Sequence, residues 1–524
     1  MKMERIIKIS FISIVFLTLT LTLGVSPSVA SSLGVVKDAA NNIQDRSTFH
    51  GFLQQSVAVN TENVVETEQD DKWRASMIRS SLFGEIQTDM DWSLWTVKFR
   101  YDLEYPTSYG EHLQEMTDAK MSNTDHRAEV EEFELREWYG DFNIGDRWSL
   151  RLGKQQVVWG KTDFFSGMDI VNGYNFRWRS FLEPENEQTR KGLIMANLIA
   201  DIPEADGNLQ IICRPGVDRN KDIGNSYDLY GGRWATQPYR GTDFLDKNHT
   251  LDYNLDHKEG EQDDPTYGIR WSGRALGMEY SLNYLHSFWQ DPSVNPSETA
   301  LGAYGAKHYK EEPSKGVLGD FFYKQVDLLG FTTNYYVAPL DIIVRSEVSY
   351  TWDAPYNYGQ DFAYGTLPGF GGIKEKDTVR MMFAFDKNVR FPMWMLGSAR
   401  PGFLNMQIFD TWIVDHDDKD DLVFGVGYGK ERKEHEMIAT AVLSWYYDYD
   451  RIVPQIAGGV DATNGGGFLI PSVKFAYGDN WRLLVEYDMF FGDGKQPGEV
   501  EDSAAMFDYF DDKDQIYIRL TYQF

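Results

Sequence analysis

The last ten residues of the chain read QIYIRLTYQF and alternate strictly between polar and apolar side chains. A period of two is that of a β-strand with one polar and one apolar face. About ten residues is also the length that a tilted strand needs to cross a bilayer. The ending, with Tyr522 and the terminal Phe524, is typical of the closing strand that the barrel-assembly machinery reads in outer-membrane proteins. It therefore predicts an all-β transmembrane fold and makes that machinery an expected partner.

The N-terminus predicts export from the cytoplasm. A basic start is followed by an apolar stretch over 9–23 and by small residues that end at Ala30. The apolar stretch is shorter than the ~20 residues of a spanning helix, so we predict a cleaved signal peptide over 1–30. Residues 31–47 are predicted to be a periplasmic lead-in, and residues 48–524 to be a barrel in the outer membrane of a Gram-negative bacterium.

Charge and motifs exclude several classes of function. The formal net charge is −29, which excludes nucleic acid as a partner because phosphate backbones require basic surfaces. The sequence contains no P-loop, Gly-x-Ser-x-Gly or dinucleotide motif, and no histidine with metal-ligand spacing. We therefore predict that the protein is not an enzyme and holds no cofactor or metal. Acidic stretches such as 415–421 are either solvated loops or weak divalent-cation sites beside lipopolysaccharide.

The alternation recurs along the chain and predicts about eighteen strands. They lie near 48–58, 79–88, 94–105, 133–143, 148–158, 191–201, 208–214, 266–273, 279–289, 326–338, 342–352, 377–386, 404–413, 422–429, 437–449, 468–477, 481–491 and 515–524. Short turns follow even-numbered strands and long polar connections follow odd-numbered ones. This asymmetry indicates an antiparallel up-and-down β-barrel in lipid, with short periplasmic turns and long extracellular loops. The long connection 387–403 breaks the rule, so sixteen or twenty strands are the alternatives.

The polar parity of the predicted strands carries many charges. The predicted lumen-lining residues are Arg100, Arg136, Arg151, Arg270, Arg345, Glu347, Arg380, Arg482, Glu486 and Arg519. Charges on this scale cannot stand in a dry core, so they predict a hydrated lumen or a network of ion pairs. Two interpretations stay open. The arginines form a basic track for an anionic or polar solute, or they pair with carboxylates and only brace the wall.

The segment 159–190 is placed as an extracellular connection, yet it is rich in large apolar residues such as Phe165, Met168 and Ile170. Such a loop favours burial over exposure to water, and the lumen is the nearest surface, so we predict an inward constriction loop. A loop packed on the barrel rim or on a neighbouring protomer is the alternative. Its candidate residues, which pair with the wall or offer hydrogen bonds to a solute, are Gln155, Gln156, Trp159, Lys161, Asp163, Asp169, Asn172, Arg177 and Arg179.

The run RLGKQQVVWGKTDFF from Arg151, followed by DIVN ending at Asn172, resembles the domain of unknown function 1302 family. Its members are uncharacterised outer-membrane proteins of Gram-negative bacteria. The resemblance implies a β-barrel. It also implies movement of hydrophobic or lipid-like compounds, because the family often travels with outer-membrane lipoproteins and efflux-type inner-membrane transporters, which become candidate partners. The family continues with Pro after the Asn, and here Gly173 stands in that place.

Three functions are consistent with these patterns. The first is a channel that passes a small polar, anionic or amphiphilic solute through a charged lumen. The second is a gated conduit for hydrophobic or lipid-like compounds that works with periplasmic and inner-membrane efflux partners. The third is a surface-binding or structural barrel that uses its acidic loops. The position of 159–190, inside or outside the lumen, discriminates between them.

Overall fold

The computed structural model describes residues 45–64, 70–105, 107, 132–162, 165, 167–177, 179, 182–183, 185–219, 222–227, 251–297, 308–359, 369–424, 431–492 and 507–524. The predicted signal peptide 1–30 and most of the predicted lead-in 31–47 lie outside these residues. Within the described ranges, no helix has both the length and the hydropathy needed to cross a membrane.

Eighteen antiparallel strands form one closed sheet, which confirms the predicted fold. Labelled β1 to β18 in chain order, they are Ser47–Asn60, Ala75–Asp89, Ser93–Glu104, Glu132–Ile144, Trp148–Gln155, Leu193–Ile202, Gly207–Arg214, Thr266–Ala275, Met278–Phe288, Gln325–Val337, Ile342–Tyr358, Gly372–Val389, Gly402–Ile413, His435–Ser444, Ile452–Asp461, Gly467–Tyr477, Trp481–Phe491 and Gln515–Gln523. Each strand pairs with its neighbours in sequence, and β1 pairs with β18. The closed sheet therefore leaves no edge strand exposed to lipid.

The last residue of the chain completes the seam between β1 and β18. The Gly51 amide donates to the Phe524 carbonyl at 3.1 Å, and the Phe524 amide donates to the Gly51 carbonyl at 2.9 Å. The Phe524 ring lies 5.5 Å from the Phe49 ring, and the Tyr522 ring lies 4.9 Å from the Trp481 ring. The Phe524 ring thus packs on the seam and the Tyr522 ring packs on β17, and their role as an assembly signal stays a prediction.

One predicted strand is wrong and one real strand was not predicted. The predicted strand 422–429 falls in the connection between β13 and β14, which pair directly with each other. Its residues 422–424 form only isolated bridges, and 425–429 lie outside the described residues. The strand Ile452–Asp461 was missed because Pro454 and two adjacent glycines interrupt its alternation. The two errors cancel, so the predicted number of strands agrees with the structure.

The connections alternate in length around the barrel. Those after even-numbered strands are short: 90–92, 145–147, 203–206, 276–277, 338–341, 390–401, 445–451 and 478–480. Those after odd-numbered strands are 61–74, 105–131, 156–192, 215–265, 289–324, 359–371, 414–434 and 492–514, with the short 462–466 as the exception. The connection 390–401 contains the one-turn helix Phe391–Met395 and not a further strand. The sixteen- and twenty-stranded alternatives are therefore excluded.

Short elements outside the barrel lie in its connections. Ser293–Pro296 pairs with Gly319–Phe322, which also pairs with Leu251–Tyr253, so two long loops share one small sheet. The other short elements are the hairpin of Asp256–His257 and Gly260–Glu261, the helix Asn186–Thr189, and the 3₁₀ turns Pro203–Ala205, Tyr309–Glu311, Asp418–Asp420 and Asp508–Phe510. The long connections therefore contain secondary structure of their own.

The two parities of the strands face different surroundings. Leu282 and Leu520 are 54 % and 43 % exposed on the outer surface, whereas Asn283 and Thr521 are 3 % and 8 % exposed on the inner one. The outward parity forms an apolar belt that includes Leu53, Val97, Leu135, Leu152, Ile211, Ile269, Leu329, Phe383, Met406, Ile456 and Leu469. A closed barrel with such a belt is built for lipid, and the protein is an integral outer-membrane barrel of the Gram-negative type.

Candidate functional site

The connection between β5 and β6, residues 156–192, runs inside the barrel, and we call it the inward loop. Its described residues contact lumen-facing side chains on β3 and β4, on β6 to β13, and on β17 and β18. The loop therefore crosses the lumen and does not stand on the rim. The predicted loop residue Asp163 lies outside the described residues.

The first part of the inward loop packs apolar side chains on the wall from β6 to β10. The buried rings and chains of Trp159 and Met168 belong to a cluster that also contains the wall residue Leu285. A Cβ at Gly268 would lie 2.6 Å from the Trp159 ring, and a Cβ at Gly330 would overlap the Met168 thioether. A larger residue at either wall position would displace the loop side chain, so each glycine provides a socket for one of the two large side chains.

The middle of the inward loop is bound by its main chain to β11. The amides of Lys161 and Met168 both donate to the Glu347 carboxylate, the latter at 2.9 Å. Arg345 donates to the Lys161 carbonyl and forms an ion pair with Asp386 at 2.8 Å. Glu347 and Arg345, both predicted to line the lumen, thus hold the loop through backbone groups.

The second part of the inward loop carries a buried ion-pair cluster against β17 and β18. The Arg179 guanidinium is 1 % exposed and lies against Glu486, 3.7 Å from Asp488 and 3.7 Å from Glu183. Glu183 also accepts hydrogen bonds from Arg519 at 2.9 and 3.1 Å. Burial opposes the charge of Arg179, but the carboxylates outweigh it and hold the pKa of the guanidinium above its ordinary value. Arg179 therefore stays charged, and its contacts with the carboxylates fix the loop to the wall.

The end of the inward loop is held by arginines of β3 and β4. Arg136 donates to the carbonyls of Glu187 and Arg190 at 2.7 and 2.8 Å, and Arg100 donates to that of Gln188 at 3.2 Å. These carbonyls belong to a one-turn helix and its end, where no intrahelical donor is available. Arg100 and Arg136, predicted as lumen arginines, thus act here as caps for the loop.

Polar side chains inside the inward loop tie its two ends together. Asn172 accepts from the Val157 amide and donates to the Lys191 carbonyl, both at 2.8 Å. Asp169 pairs with Arg190. All of these residues are buried, so the loop is a folded unit.

The other predicted loop residues have local partners. Gln155 is fully buried and donates to two main-chain carbonyls, and Gln156 donates to carbonyls of the same one-turn helix. The Arg177 guanidinium donates to Asn175 at 3.0 Å. These contacts lie within the inward loop or at the adjoining ends of β5 and β6, so they serve the shape of the loop.

Three predicted wall arginines lie away from the inward loop's anchors. Arg151 forms an ion pair with Asp141 at 2.7 Å. The Arg380 guanidinium lies over the Trp289 ring at 4.3 Å. Arg482 donates to carbonyls of its own turn at the periplasmic rim. The predicted arginine set is thus mostly engaged in holding structure, and it does not form one continuous free track.

A cavity of about 330 Å³ lies on the extracellular side of the inward loop, and we call it the vestibule. Aromatic rings line it, among them Phe165, Tyr174, Phe176, Trp289, Tyr356 and Phe409. Charged groups share the same walls, including Arg380, Asp410 and the ion pair of Arg432 with Glu436 at 2.6 Å. The vestibule therefore offers apolar surface and charge side by side.

A second cavity, of about 510 Å³, lies on the periplasmic side of the inward loop, and we call it the lower chamber. It is lined by polar residues of β6 to β10 and of their periplasmic turns, with Lys161 from the loop and Arg270 from β8. The loop thus divides the lumen between an aromatic space above and a polar space below.

A family model described as "Protein of unknown function (DUF1302)" matches residues 19–185 and 207–524. The chain belongs to this DUF1302 family. The resemblance noted in the sequence is thereby confirmed. Among curated proteins, none matches the chain.

Several solved barrels are similar in fold to this DUF1302 member. Acinetobacter baumannii OccAB2 is 9 % identical, with 92 % of this chain and 98 % of that chain covered and a TM-score of 0.45. Acinetobacter baumannii OccAB3 is 9 % identical, with 92 % and 99 % covered and a TM-score of 0.44. Salmonella typhi OmpF, in complex with daunomycin, is 9 % identical, with 91 % and 97 % covered and a TM-score of 0.40. At these identities and scores the likeness says nothing about a solute.

Sequence reasoning missed an apolar stripe inside this DUF1302 barrel. On β12 to β17, Met382, Phe409, Phe468 and Phe490 face inward and are buried, and the Phe165 ring of the loop meets Phe409 at 5.5 Å. We call these wall residues the apolar lane. The prediction that the inner face is polar throughout is wrong for these strands. In the sequence, apolar residues at every second position give the same pattern whether they face the lumen or the lipid. A strand with apolar residues on both parities is the signal that could have shown it.

Proposed function

We propose that the protein is an outer-membrane channel for small amphiphilic solutes, with the inward loop as its constriction. The observation that carries the proposal is the vestibule, where aromatic rings and charged groups line one cavity of about 330 Å³. A concave, largely apolar site with a few placed polar groups is the usual form of a small-molecule site. A channel, and not an enzyme, is the role that such a barrel supports.

The two sides of the lumen wall support an amphiphilic solute. Around β2 and β3 the wall carries ion pairs, such as Asp102 with Arg79 at 2.8 Å and with Arg100 at 2.9 Å. The wall from β12 to β17 carries the apolar lane. The first side of the wall is therefore polar, and its charges are paired with one another. A solute with an apolar body and a charged group can contact both sides at once.

Single-channel recording in planar bilayers tests the proposal. Phenylpropionate, added to each side in turn, should interrupt the current of the mature protein, and propionate, which lacks the ring, should interrupt it far less. The variant Phe409→Ser should shorten the interruptions by roughly two- to tenfold, the worth of an aromatic contact. Phe403→Ser, on the same strand near its periplasmic end, is the matched control. Equal interruption by both acids would contradict the proposal.

The apolar lane favours a second candidate, a gated conduit for hydrophobic compounds that works with periplasmic or inner-membrane partners. Such a conduit would stay electrically closed in a bilayer. A deletion strain should then handle apolar compounds poorly, and a normal uptake and efflux of these compounds would count against this candidate.

A further inference from the structure

The lower chamber is lined by hydrogen-bonding side chains. Asn208, Ser272, Ser281, Thr332 and Asn334 contribute amides and hydroxyls from four neighbouring strands. Such groups donate as readily as they accept. The chamber is therefore suited to a polar ligand, in contrast to the vestibule above the inward loop.

Two cations that line this chamber, Lys161 and Arg270, have no carboxylate within ion-pair distance among the described residues. Within the described part of the chain, the Lys161 ammonium has no hydrogen bond and no ion pair. The Arg270 guanidinium has one hydrogen bond there, to the Val158 carbonyl at 3.2 Å, and its Nε is buried without a partner. The carboxylates of Glu347 and Asp169 act on Arg270 only beyond ion-pair distance.

The nearby carboxylates are already engaged or lie at the rim. Glu347 accepts from two amides of the inward loop. Glu279 pairs with Arg274 at 2.9 Å beside the turn 276–277. Asp201 near the end of β6 and Asp206 in the periplasmic turn 203–206 line the opposite end of the chamber. Lys161 and Arg270 are thus the free charges at the end of the chamber next to the loop.

We propose that Lys161 and Arg270 form a binding site for the oxyanion of a solute, a carboxylate or a phosphate, on the periplasmic side of the inward loop. A partly buried cation is costly without a counter-charge, and a bound oxyanion supplies one. The planar fork of Arg270 matches two oxygens of such a group, and the ammonium of Lys161 adds a second donor. This inference rests on the proposed function, and it narrows the solute to an amphiphile with an acidic group.

Binding and block by small anions test the site. The mature protein in detergent is titrated by calorimetry with phosphate, with butyrate and with butylammonium, and the same compounds are added to the channel in bilayers. Arg270→Met and Lys161→Met should each weaken anion binding about tenfold, the worth of a charged hydrogen bond. Arg270→Lys should keep part of the affinity. Arg482→Met, which removes a charge at the rim outside the chamber, should change nothing.

The outcomes separate this site from the proposed channel. Whichever of phosphate and butyrate binds more tightly identifies the class of oxyanion. Either result supports the site, provided that butylammonium does not compete with the bound anion. No anion binding by the wild type, or equal loss in Arg482→Met, would overturn the site. Anion binding by a barrel that never conducts would leave the site standing and refute the channel. Interruption of the current by phenylpropionate without any dependence on Lys161 or Arg270 would support the channel and refute the site.

Discussion

Replacing Arg179 by Met should release the second part of the inward loop from the wall. The side chain is 1 % exposed and stands among the carboxylates of Glu486, Asp488 and Glu183. Removing one partner of a buried ion pair costs about 3–5 kcal/mol, because the remaining charges are left uncompensated. Methionine keeps most of the aliphatic volume over the Tyr517 ring, so the loss is chiefly one of charge.

The structure places the effect at the lower end of that range. Glu183 keeps its two hydrogen bonds to Arg519 in the variant, so one of the three carboxylates stays neutralised. About 3 kcal/mol corresponds to a shift of roughly 100-fold between the docked and the released loop. In single-channel recordings we expect a larger conductance level that the wild type visits rarely. The strand ladders are untouched, so the heat-modifiable gel mobility of the barrel should not change.

Two further variants separate loss of charge from loss of packing. Adding Glu486→Gln to Arg179→Met removes an uncompensated carboxylate and should restore part of the docking. Arg482→Met, which removes a guanidinium that donates to carbonyls of its own turn at the periplasmic rim, should leave the recordings unchanged. If Arg179→Met gives a folded barrel with wild-type recordings, the ion-pair cluster does not hold the loop and the reasoning is refuted.

Three other predictions concern the loop and the seam. In a Cys213→Ser background, Met168→Cys with Gly330→Cys should form a disulfide, because the Met168 Cγ lies 3.5 Å from a Cβ built at Gly330. Oxidation should abolish the larger conductance level, and a reductant should restore it. Burial lowers the pKa of Lys191 to about 7, so the docked loop favours the neutral amine. Docking should therefore strengthen as the pH rises from about 7 towards the ordinary lysine pKa of about 10.4. The larger conductance level should become rarer over this range, and Lys191→Met should remove the pH dependence. Phe524→Ala should lower the amount of heat-modifiable barrel in outer-membrane fractions, and an unchanged amount would contradict a role in assembly.

The fold could be predicted because lipid imposes a simple pattern. A strand with lipid on one side and a charged lumen on the other shows its period directly, as in Gln515–Gln523. The strand Ile452–Asp461 was not predicted because Pro454 and the glycines interrupt the alternation of polar and apolar residues, although Ile456 and Val460 still face lipid. Pairing with β14 and β16 forms it in spite of its weak propensity.

The site could be predicted only in outline. The apolar content of the inward loop indicated burial, but its anchors join residues far apart in sequence, as Lys161 and Arg179 do with Glu347 and Glu486. No local pattern records such a contact. The sockets at the wall glycines could not be predicted either, because a glycine in a strand is compatible with a bulge, a turn or a close approach of another chain segment.

The two interpretations of the lumen arginines apply to different residues. Arg345 and Arg519 hold the inward loop and are paired with carboxylates, whereas Arg380 is covered by an aromatic ring. The chain has 80 acidic and 51 basic residues, so a carboxylate partner is easy to supply wherever a cation serves only the structure. Among the described residues, Lys161 and Arg270 have no carboxylate within ion-pair distance at the place where the loop meets the lower chamber. In so acidic a protein, an uncompensated pair of cations beside a cavity is better explained by a solute anion than by bracing of the wall.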